Sequence, residues 1–360
     1  MVNWHWNPQP DIQSLLDTIA RRGKPGRVHK LELWTDYEIM AALLGKPAPP
    51  DLPGRAESRA LADFKIEYYF TFGYDAFWEG PFLSFPRSRD LLSDDTAALP
   101  HSKRKWVSET QGEITSWQDF DHYHWPRLEE INFDRFEYTL SRLPEGMGLF
   151  AGVPGVFESL SFLMGYETLC MALFDQPELV QAVLDQVRAL ILPLAETLVS
   201  YDRVAGLWIG DDMGFKTGTL VSPKHLRCYV FPLLGELAQA SHRREKPFLL
   251  HSCGKLNAVM PDLIHQVGID AKHSFEDVIQ PVEAFAAEYG QEVCVIGGID
   301  IDLLSRGTEE AVRQRTRQVL EACLPRNGYI LGSGNTVTNY ILPANFLAML
   351  DEGQRFSLNG

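Results

Sequence analysis

The tetrapeptide His251-Ser252-Cys253-Gly254 places two metal-binding residue types two positions apart. It follows an apolar, strand-like run and opens into a helix-like segment, so both side chains leave the end of one strand. Imidazole and thiolate are good zinc ligands, and a site with few protein ligands keeps a coordination position open for chemistry. The alternative is a Cys253 that packs as a small hydrophobe beside a hydrogen-bonded core His251. We predict that both residues bind a metal.

Carboxylates after other strand-like runs are candidates to complete the site. Asp211 and Asp212 follow the run 205–209, and both are candidate catalytic residues. One of them can serve as metal ligand or general base while the other caps a helix, and we favour Asp212 for the site. Glu276 is a third metal-ligand candidate or a substrate anchor, against the alternative of a solvated loop carboxylate.

Strand-like runs alternate with helical patterns along the whole chain. Eight such runs separated by helices predict an α/β fold, a (β/α)8 TIM barrel of one domain over residues 1–360. An insertion at about residues 80–145 is expected to lie over the carboxyl ends of the strands. An open doubly wound sheet is the alternative, but no glycine-rich phosphate loop follows an early strand. The predicted strands are 28–33, 74–78, 147–153, 205–209, 247–251, 269–273, 293–297 and 329–332, and the clearest predicted helices are 177–199, 223–240, 259–267, 309–323 and one that begins at 343.

Polar and aromatic side chains follow several of these strands. Because a barrel of this kind carries its chemistry on the loops after the strands, they are expected to line one cleft. The predicted substrate-binding residues are Trp34, Glu158, His273 and Asn335.

Composition restricts the class of partner. The chain has 33 basic and 48 acidic residues among 360, a net charge of −15, which argues against nucleic acid or an anionic membrane surface as the main partner. No run of apolar residues is long enough to predict a membrane span. Five scattered cysteines predict reduced thiols in a cytoplasmic protein. A small-molecule substrate is the expected partner.

The C-terminal half resembles the uroporphyrinogen decarboxylase superfamily, which includes zinc-dependent methyltransferases that work with corrinoids. The resemblance covers about residues 150–355 well and the first 80 loosely. It implies a TIM barrel with its cleft at the strand carboxyl ends, and relatives that pair as homodimers. The matching stretches are 210–212, 222–223, 231–232, 251–254, 268–270, 297–300, 303–304 with Gly307, 328–331 and 343–346.

One ligand position departs from the methyltransferase pattern. The resemblance implies His251 and Cys253 as the first two zinc ligands, whereas the third position falls on Asn335, a weak donor beside thiolate and imidazole. We therefore expect a carboxylate, Asp212 or Glu276, to complete a zinc site. The expected reaction moves a methyl group between a small O- or S-methyl compound or thiol and a corrinoid on a partner protein.

Two other functions are kept open. One is a metal-free decarboxylase or lyase of a small carboxylic acid or tetrapyrrole, with arginines of the loop 86–89 holding a carboxylate. The other is a non-catalytic barrel that binds a corrinoid or tetrapyrrole. The arginine-rich N-terminal segment with which uroporphyrinogen decarboxylases hold their substrate is missing here, which argues against haem-pathway decarboxylation.

Overall fold

Parallel strands form the centre of the molecule in the computed structural model, which describes residues 4–23, 26–50, 55–81, 83, 85–86, 91–93, 97, 99, 104–106 and 112–359. Seven strands make one sheet in the order β1-β4-β5-β6-β7-β8-β9, and each pair is parallel, while β2 and β3 form a separate antiparallel pair. The strands are β1 (Ala76–Glu79), β2 (Leu91–Ser93), β3 (Arg104–Trp106), β4 (Gly148–Ala151), β5 (Val204–Gly210), β6 (Phe248–His251), β7 (Ala271–His273), β8 (Cys294–Ile296) and β9 (Tyr329–Ile330).

Alternate strand residues belong to two separate hydrophobic clusters. In β5, Ala205 and Trp208 join one cluster, whereas Leu207 and Ile209 join the other. The first cluster takes a side chain from every parallel strand, so the sheet curls around a shared interior, as in TIM-like barrels. Its fully buried members are Leu15, Ile19, Leu31, Ala76, Phe150, Trp208, Leu249, Ala271, Cys294, Ile296 and Ile330.

The first predicted strand, 28–33, is not a regular strand. It is joined to the chain after β9 by a single parallel bridge between Lys30 and Leu331. Its contacts toward the start of β1 are made by side chains: the Lys30 ammonium donates to the Phe72 carbonyl at 2.7 Å, and the His29 ring lies 2.7 Å from Asp75 Oδ2. The prediction of eight strands was therefore met at seven positions, because side-chain bonds replace the backbone ladder at the eighth.

Helices follow the strands and cover the outside of the sheet. Two predicted helices have the observed bounds: α8 begins at Pro177, whose missing N–H costs nothing in a first turn, and α14 is capped by Thr308. The helices are α1 (Ile12–Ile19), α2 (Tyr37–Leu44), α3 (Arg55–Thr71), α4 (Trp117–His122), α5 (Asp134–Arg142), α6 (Val156–Met164), α7 (Tyr166–Asp175), α8 (Pro177–Val199), α9 (Pro223–His225), α10 (Phe231–His242), α11 (Met260–Asp262), α12 (Val282–Tyr289), α13 (Ile301–Arg306), α14 (Glu309–Cys323) and α15 (Pro343–Asn359).

The predicted helices 223–240 and 259–267 each contain a wider, π-helical turn. These turns are Leu226–Val230, between α9 and α10, and Leu263–Val267, after α11. After the turn Leu226–Val230, Pro232 lies in the first turn of α10. Because a proline has no N–H to donate to the preceding turn, the hydrogen-bond ladder is interrupted there.

Within the described residues, no single helix has the length and apolar character of a membrane span. The helices α6 and α7 have that length and apolar character only when they are taken together, and they are bent by 97° to one another.

The segment between β1 and β4 holds the strand pair β2–β3 and the helices α4 and α5. Several of its residues fall outside the described ranges. The described residues Pro81, Leu83 and Phe85 line a cavity at the carboxyl end of β1. The status of residues 80–145 as an insertion stays a prediction.

Candidate metal centre

Two neighbouring strand ends bring the predicted site together. Gly210, the last residue of β5, lies opposite His251, the last residue of β6, in the parallel ladder. The backbone N–H of Asp211 donates to the His251 carbonyl at 2.9 Å and holds the two outgoing loops side by side. Asp212 therefore lies against the loop that carries Cys253, although the two are far apart in sequence.

Asp212, His251 and Cys253 converge on one point. His251 Nε2 lies 3.5 Å from Asp212 Oδ1 and 3.4 Å from Cys253 Sγ. In the part of the chain that the structure describes, this is the one group of three His, Cys, Asp or Glu side chains with ligand atoms all within 4.8 Å of one another. His251 is buried, Cys253 is half-buried and the Asp212 side chain is 39% exposed, so the group is most accessible at Asp212.

A chain of hydrogen bonds determines which nitrogen of His251 carries the proton. His273 Nε2 lies 3.2 Å from the Ser333 carbonyl, which can only accept, so this nitrogen carries hydrogen. The other nitrogen of a neutral His273 then accepts from His251 Nδ1, 2.7 Å away. His251 Nε2 is left with a free lone pair directed at Asp212 and Cys253, the form in which histidine binds metals.

Both imidazoles are held neutral. Burial and then the positive charge of Lys272 lower the pKa of His251 to about 3. Burial and then the neighbouring His251 lower the pKa of His273 well below its usual value. A neutral pair is the state that the hydrogen-bond chain requires.

The sulfur of Cys253 accepts two hydrogen bonds. Asn335 Nδ2 lies 3.2 Å and Ser274 Oγ 3.3 Å from Cys253 Sγ, while the Cys253 N–H donates to Asp212 Oδ1 at 2.7 Å. Burial and then the charge of Asp212 raise the pKa of the Cys253 thiol to about 12. A divalent cation bound here would lower the pKa of the Cys253 thiol again, because a thiol that coordinates a metal is deprotonated.

The donor set fits zinc. One imidazole, one thiolate and one carboxylate make a three-ligand set of the kind that leaves a fourth position for water or substrate. Asn335 directs its amide N–H at the sulfur, so in this arrangement it supports the thiolate and is not itself a ligand.

An apolar cavity of about 390 Å³ lies on one side of these residues. Gly210 forms part of its wall, and a Cβ added at Gly210 would lie 3.9 Å from Leu33 and 4.0 Å from the His251 ring. Trp34 and Glu158 line it, as predicted for substrate contacts, and the Trp34 and Trp78 rings meet at 74°. The other lining residues are Leu33, Gly80, Pro81, Leu83, Phe85, Gly152, Val153, Pro154, Gly155, Ser159, Phe162 and Leu163.

A larger cleft of about 1160 Å³, lined mostly by polar residues, also adjoins the site. Asn335 lines this cleft and also contacts Cys253, so the cleft adjoins the sulfur. Glu276 lines the same cleft and is not part of the converging group, so the carboxylate next to His251 and Cys253 is that of Asp212.

Comparison with known proteins agrees with this geometry. Residues 100–356 match the model of the uroporphyrinogen decarboxylase (URO-D) family. The chain belongs to this family. No curated protein is similar enough in sequence to match the chain.

One solved structure with a high TM-score extends the shared fold to the N-terminal residues of this URO-D protein. A methyltransferase from Methanosarcina mazei is 14% identical and has a TM-score of 0.72, with 97% of this chain and 99% of that chain covered. A structure assigned as a vitamin-B12-independent methionine synthase from Listeria monocytogenes is 13% identical, with a TM-score of 0.45 over 92% of this chain and 95% of that chain. At such identities the likeness shows the fold alone.

The URO-D protein uses its two adjacent aspartates differently. Asp211 is fully buried and accepts from the backbone N–H groups of Phe157 at 3.1 Å and Glu158 at 2.9 Å, the first turn of α6. The residue before that helix is Gly155, which has no side chain to cap it. Burial raises the pKa of Asp211 to about 7 despite these bonds. Asp211 therefore holds a helix start, and Asp212 faces the site.

Replacing Asp211 with alanine is expected to lower the free energy of unfolding by about 1–3 kcal/mol, because two buried N–H groups lose their acceptor. Asp212→Asn keeps an acceptor oxygen and is expected to change stability by less than about 0.5 kcal/mol. Urea unfolding of both variants measures the difference. Equal stabilities would contradict the division of roles.

His273 lies behind His251 in the hydrogen-bond chain. It is fully buried, and both ring nitrogens are hydrogen-bonded within the protein. Its role in substrate binding stays a prediction.

Two residues next to the site were missed by the sequence analysis. Ser274 adopts a left-handed backbone, with φ of 88°, and donates to Cys253. Lys272 is buried, its ammonium lies 4.1 Å from the centre of the Phe275 ring, and burial lowers its pKa to about 8. A lysine inside the predicted strand 269–273 was the available signal. Arg87 and Arg89, the arginines proposed for a carboxylate, lie outside the described residues.

Proposed function

We propose that this URO-D protein is a zinc-dependent methyltransferase. It would move a methyl group between a small O- or S-methyl compound, or a thiol, and a corrinoid carried by a partner protein. The observation that carries the proposal is the convergence of His251, Cys253 and Asp212 next to two openings, one lined by Gly210 and the other by Asn335. The family and the fold support a methyltransferase-like or decarboxylase-like enzyme.

The residues divide the work between holding the metal and holding the substrate. His251, Cys253 and Asp212 would hold zinc. When bound, zinc supplies a Lewis acid that lowers the pKa of a thiol or improves an alkoxide leaving group. Asn335 and Ser274 donate to the Cys253 sulfur, which withdraws electron density from the one thiolate.

The two openings suit two different reactants. The apolar cavity has the volume and aromatic lining of a small-molecule site, and its described lining includes no lysine or arginine. It would hold the apolar body of the methyl compound against Trp34 and Trp78, with the reacting end toward Gly210. The larger cleft beside Asn335 would accept the partner's corrinoid.

The same cavity bears on the alternative of a metal-free decarboxylase. A substrate with several carboxylates needs cationic groups, and the one charged residue among the described lining of the cavity is Glu158. The single-domain organisation of residues 1–360, a homodimer and a cytoplasmic location stay predictions.

Methyl transfer is tested with zinc-loaded protein, methoxybenzene or a methyl thioether as donor and free cob(I)alamin as acceptor. The expected result is protein-dependent methylation, followed by the absorbance spectrum of the cobalamin and abolished by chelation. Asp212→Asn is expected to lower the rate at least about 100-fold, because a ligand is lost. Asp185→Asn is the control, since that carboxylate is exposed on α8 and lines neither the cavity nor the cleft, and it is expected to leave the rate unchanged.

The proposal would be overturned by zinc-loaded protein that methylates no cobalamin with any donor of these classes. Small carboxylic acids and tetrapyrroles would then be the compounds to examine.

A further inference from the structure

We infer that Glu32 is a positioning residue for the metal centre, acting through Ser333 on both His251 and Cys253. Glu32 lies in the segment that pairs with the chain after β9 and is fully buried. No part of the proposed reaction uses it. The inference rests on the proposed zinc site of His251, Cys253 and Asp212.

Among the residues that the structure describes, Ser333 alone donates hydrogen bonds to Glu32. The Ser333 N–H lies 3.0 Å and 3.1 Å from the two Glu32 carboxyl oxygens, and the Ser333 hydroxyl also bonds to Glu32. Two donors on one carboxyl group fix both the position and the rotation of the residue that carries them. The peptide unit of Ser333 is thereby held in one orientation.

That orientation sets the histidine pair. The Ser333 carbonyl accepts from His273 Nε2, and His273 accepts from His251. The Gly298 N–H also donates to the Ser333 carbonyl, at 3.3 Å. A rotated Ser333 carbonyl would no longer define the protonated nitrogen of His273, and the free lone pair of His251 Nε2 would be lost from part of the molecules.

The same serine also controls the position of Asn335. The Ser333 hydroxyl has one hydrogen, which it shares between Glu32 and the Asn335 carbonyl, and Asn335 Nδ2 donates to Cys253 Sγ. Glu32 therefore supports both ligands that the sequence motif supplies, one through His273 and one through Asn335. Loss of an outer hydrogen-bond partner of this kind typically lowers metal affinity about 10–100-fold.

A purely structural role is the competing explanation. Glu32 joins the first segment to the last strand region, and the loss of any such tie could lower stability alone. Burying a carboxyl group costs free energy that an apolar side chain at the same position would not cost. The specific contribution of Glu32 is therefore the orientation of Ser333. The two explanations differ in whether the state of His251 changes in folded protein.

The test is Glu32→Leu in the full-length protein. Leucine removes both acceptor oxygens, so the Ser333 N–H and hydroxyl lose the group that orients them. We expect zinc affinity, measured against a chelating dye, to fall about 10–100-fold. We also expect the 15N NMR signals of His251 in zinc-free protein to change from the single Nδ1–H form to a mixture of both forms.

Glu79→Leu is the matched control. Glu79 is also buried, and it pairs with Lys65 at 2.5 Å and not with Ser333. This variant is expected to lose stability without a change in the His251 signals. Ser333→Ala, which removes the hydroxyl and keeps the carbonyl, is the second variant if Glu32→Leu does not fold, and it is expected to shift the same two readouts less.

Folded Glu32→Leu with unchanged zinc affinity and unchanged His251 signals would overturn the inference. If the wild-type protein binds no zinc, the proposed function fails, whereas the NMR comparison still decides the role of Glu32.

Discussion

Replacing Cys253 with serine is expected to leave the purified protein without zinc, against about one zinc ion per chain in the wild type. Cys253 supplies the one sulfur of the converging group, and its Sγ lies 3.4 Å from His251 Nε2. A serine hydroxyl is not deprotonated as a thiol is, so the anionic soft donor is lost. Elemental analysis of protein purified in zinc-containing buffer gives the ratio directly.

Cys228→Ser is the control for this measurement. Cys228 is exposed and is not part of the converging group, so its loss is expected to leave the zinc ratio unchanged. Zinc retained in Cys253→Ser and lost in Cys228→Ser would place the metal elsewhere. Wild-type protein with no zinc, even after incubation with the metal, would contradict the proposed centre itself.

Replacing Gly254 with alanine is expected to disturb the site as severely as the loss of a ligand. Gly254 has φ of +80°, and a Cβ there would lie 2.3 Å from the Gly214 carbonyl carbon and 2.5 Å from the Phe215 nitrogen. Both the backbone conformation and the space exclude a side chain. Because the backbone must move, Cys253 moves with it, and we expect zinc affinity to fall at least about 10-fold.

Stability is expected to fall in the same variant, by about 1–3 kcal/mol in the free energy of unfolding. Gly218→Ala is a close control, since Gly218 lies in the neighbouring turn, where Phe215 N–H donates to its carbonyl, and an added Cβ meets nothing within 4 Å. Zinc titration and urea unfolding of the two variants should separate them clearly. Gly254→Ala that behaves like Gly218→Ala would show that this turn does not set the position of Cys253.

The parts of the fold that the sequence predicted are those that depend on local patterns. Helices α8 and α14 have their predicted bounds because each has an apolar repeat and a local start signal, Pro177 in the first turn of α8 and the Thr308 cap before α14. The predicted strands 205–209 and 247–251 end within one residue of the observed ends, Gly210 and His251, because buried parallel strands are short apolar runs. The candidate metal ligands His251 and Cys253 could be proposed because both residues lie in one tetrapeptide.

The rest depends on which strands are neighbours and which side chains face each other. The choice of Asp212 over Glu276 required the register of β5 against β6, which the sequence does not encode in any one segment. Ser274 reaches Cys253 through a left-handed backbone that serine seldom adopts, so its residue type gave no signal. Glu32 and Ser333 are paired across the whole length of the chain.

Two backbone hydrogen bonds flank the single bridge between Lys30 and Leu331, and we call this junction of the first segment with the chain after β9 the clasp. The N–H of Leu31 donates to Leu331 at 3.0 Å and that of Leu331 to His29 at 2.9 Å, with Glu32 and Ser333 paired next to them. A ligand that binds only while the clasp is closed also stabilises the closed state. The added free energy of opening is about 4.1 kcal/mol when the ligand concentration is a thousand times its dissociation constant. Deuterium uptake at these two leucines would thus report, from the far edge of the sheet, whether the centre is filled.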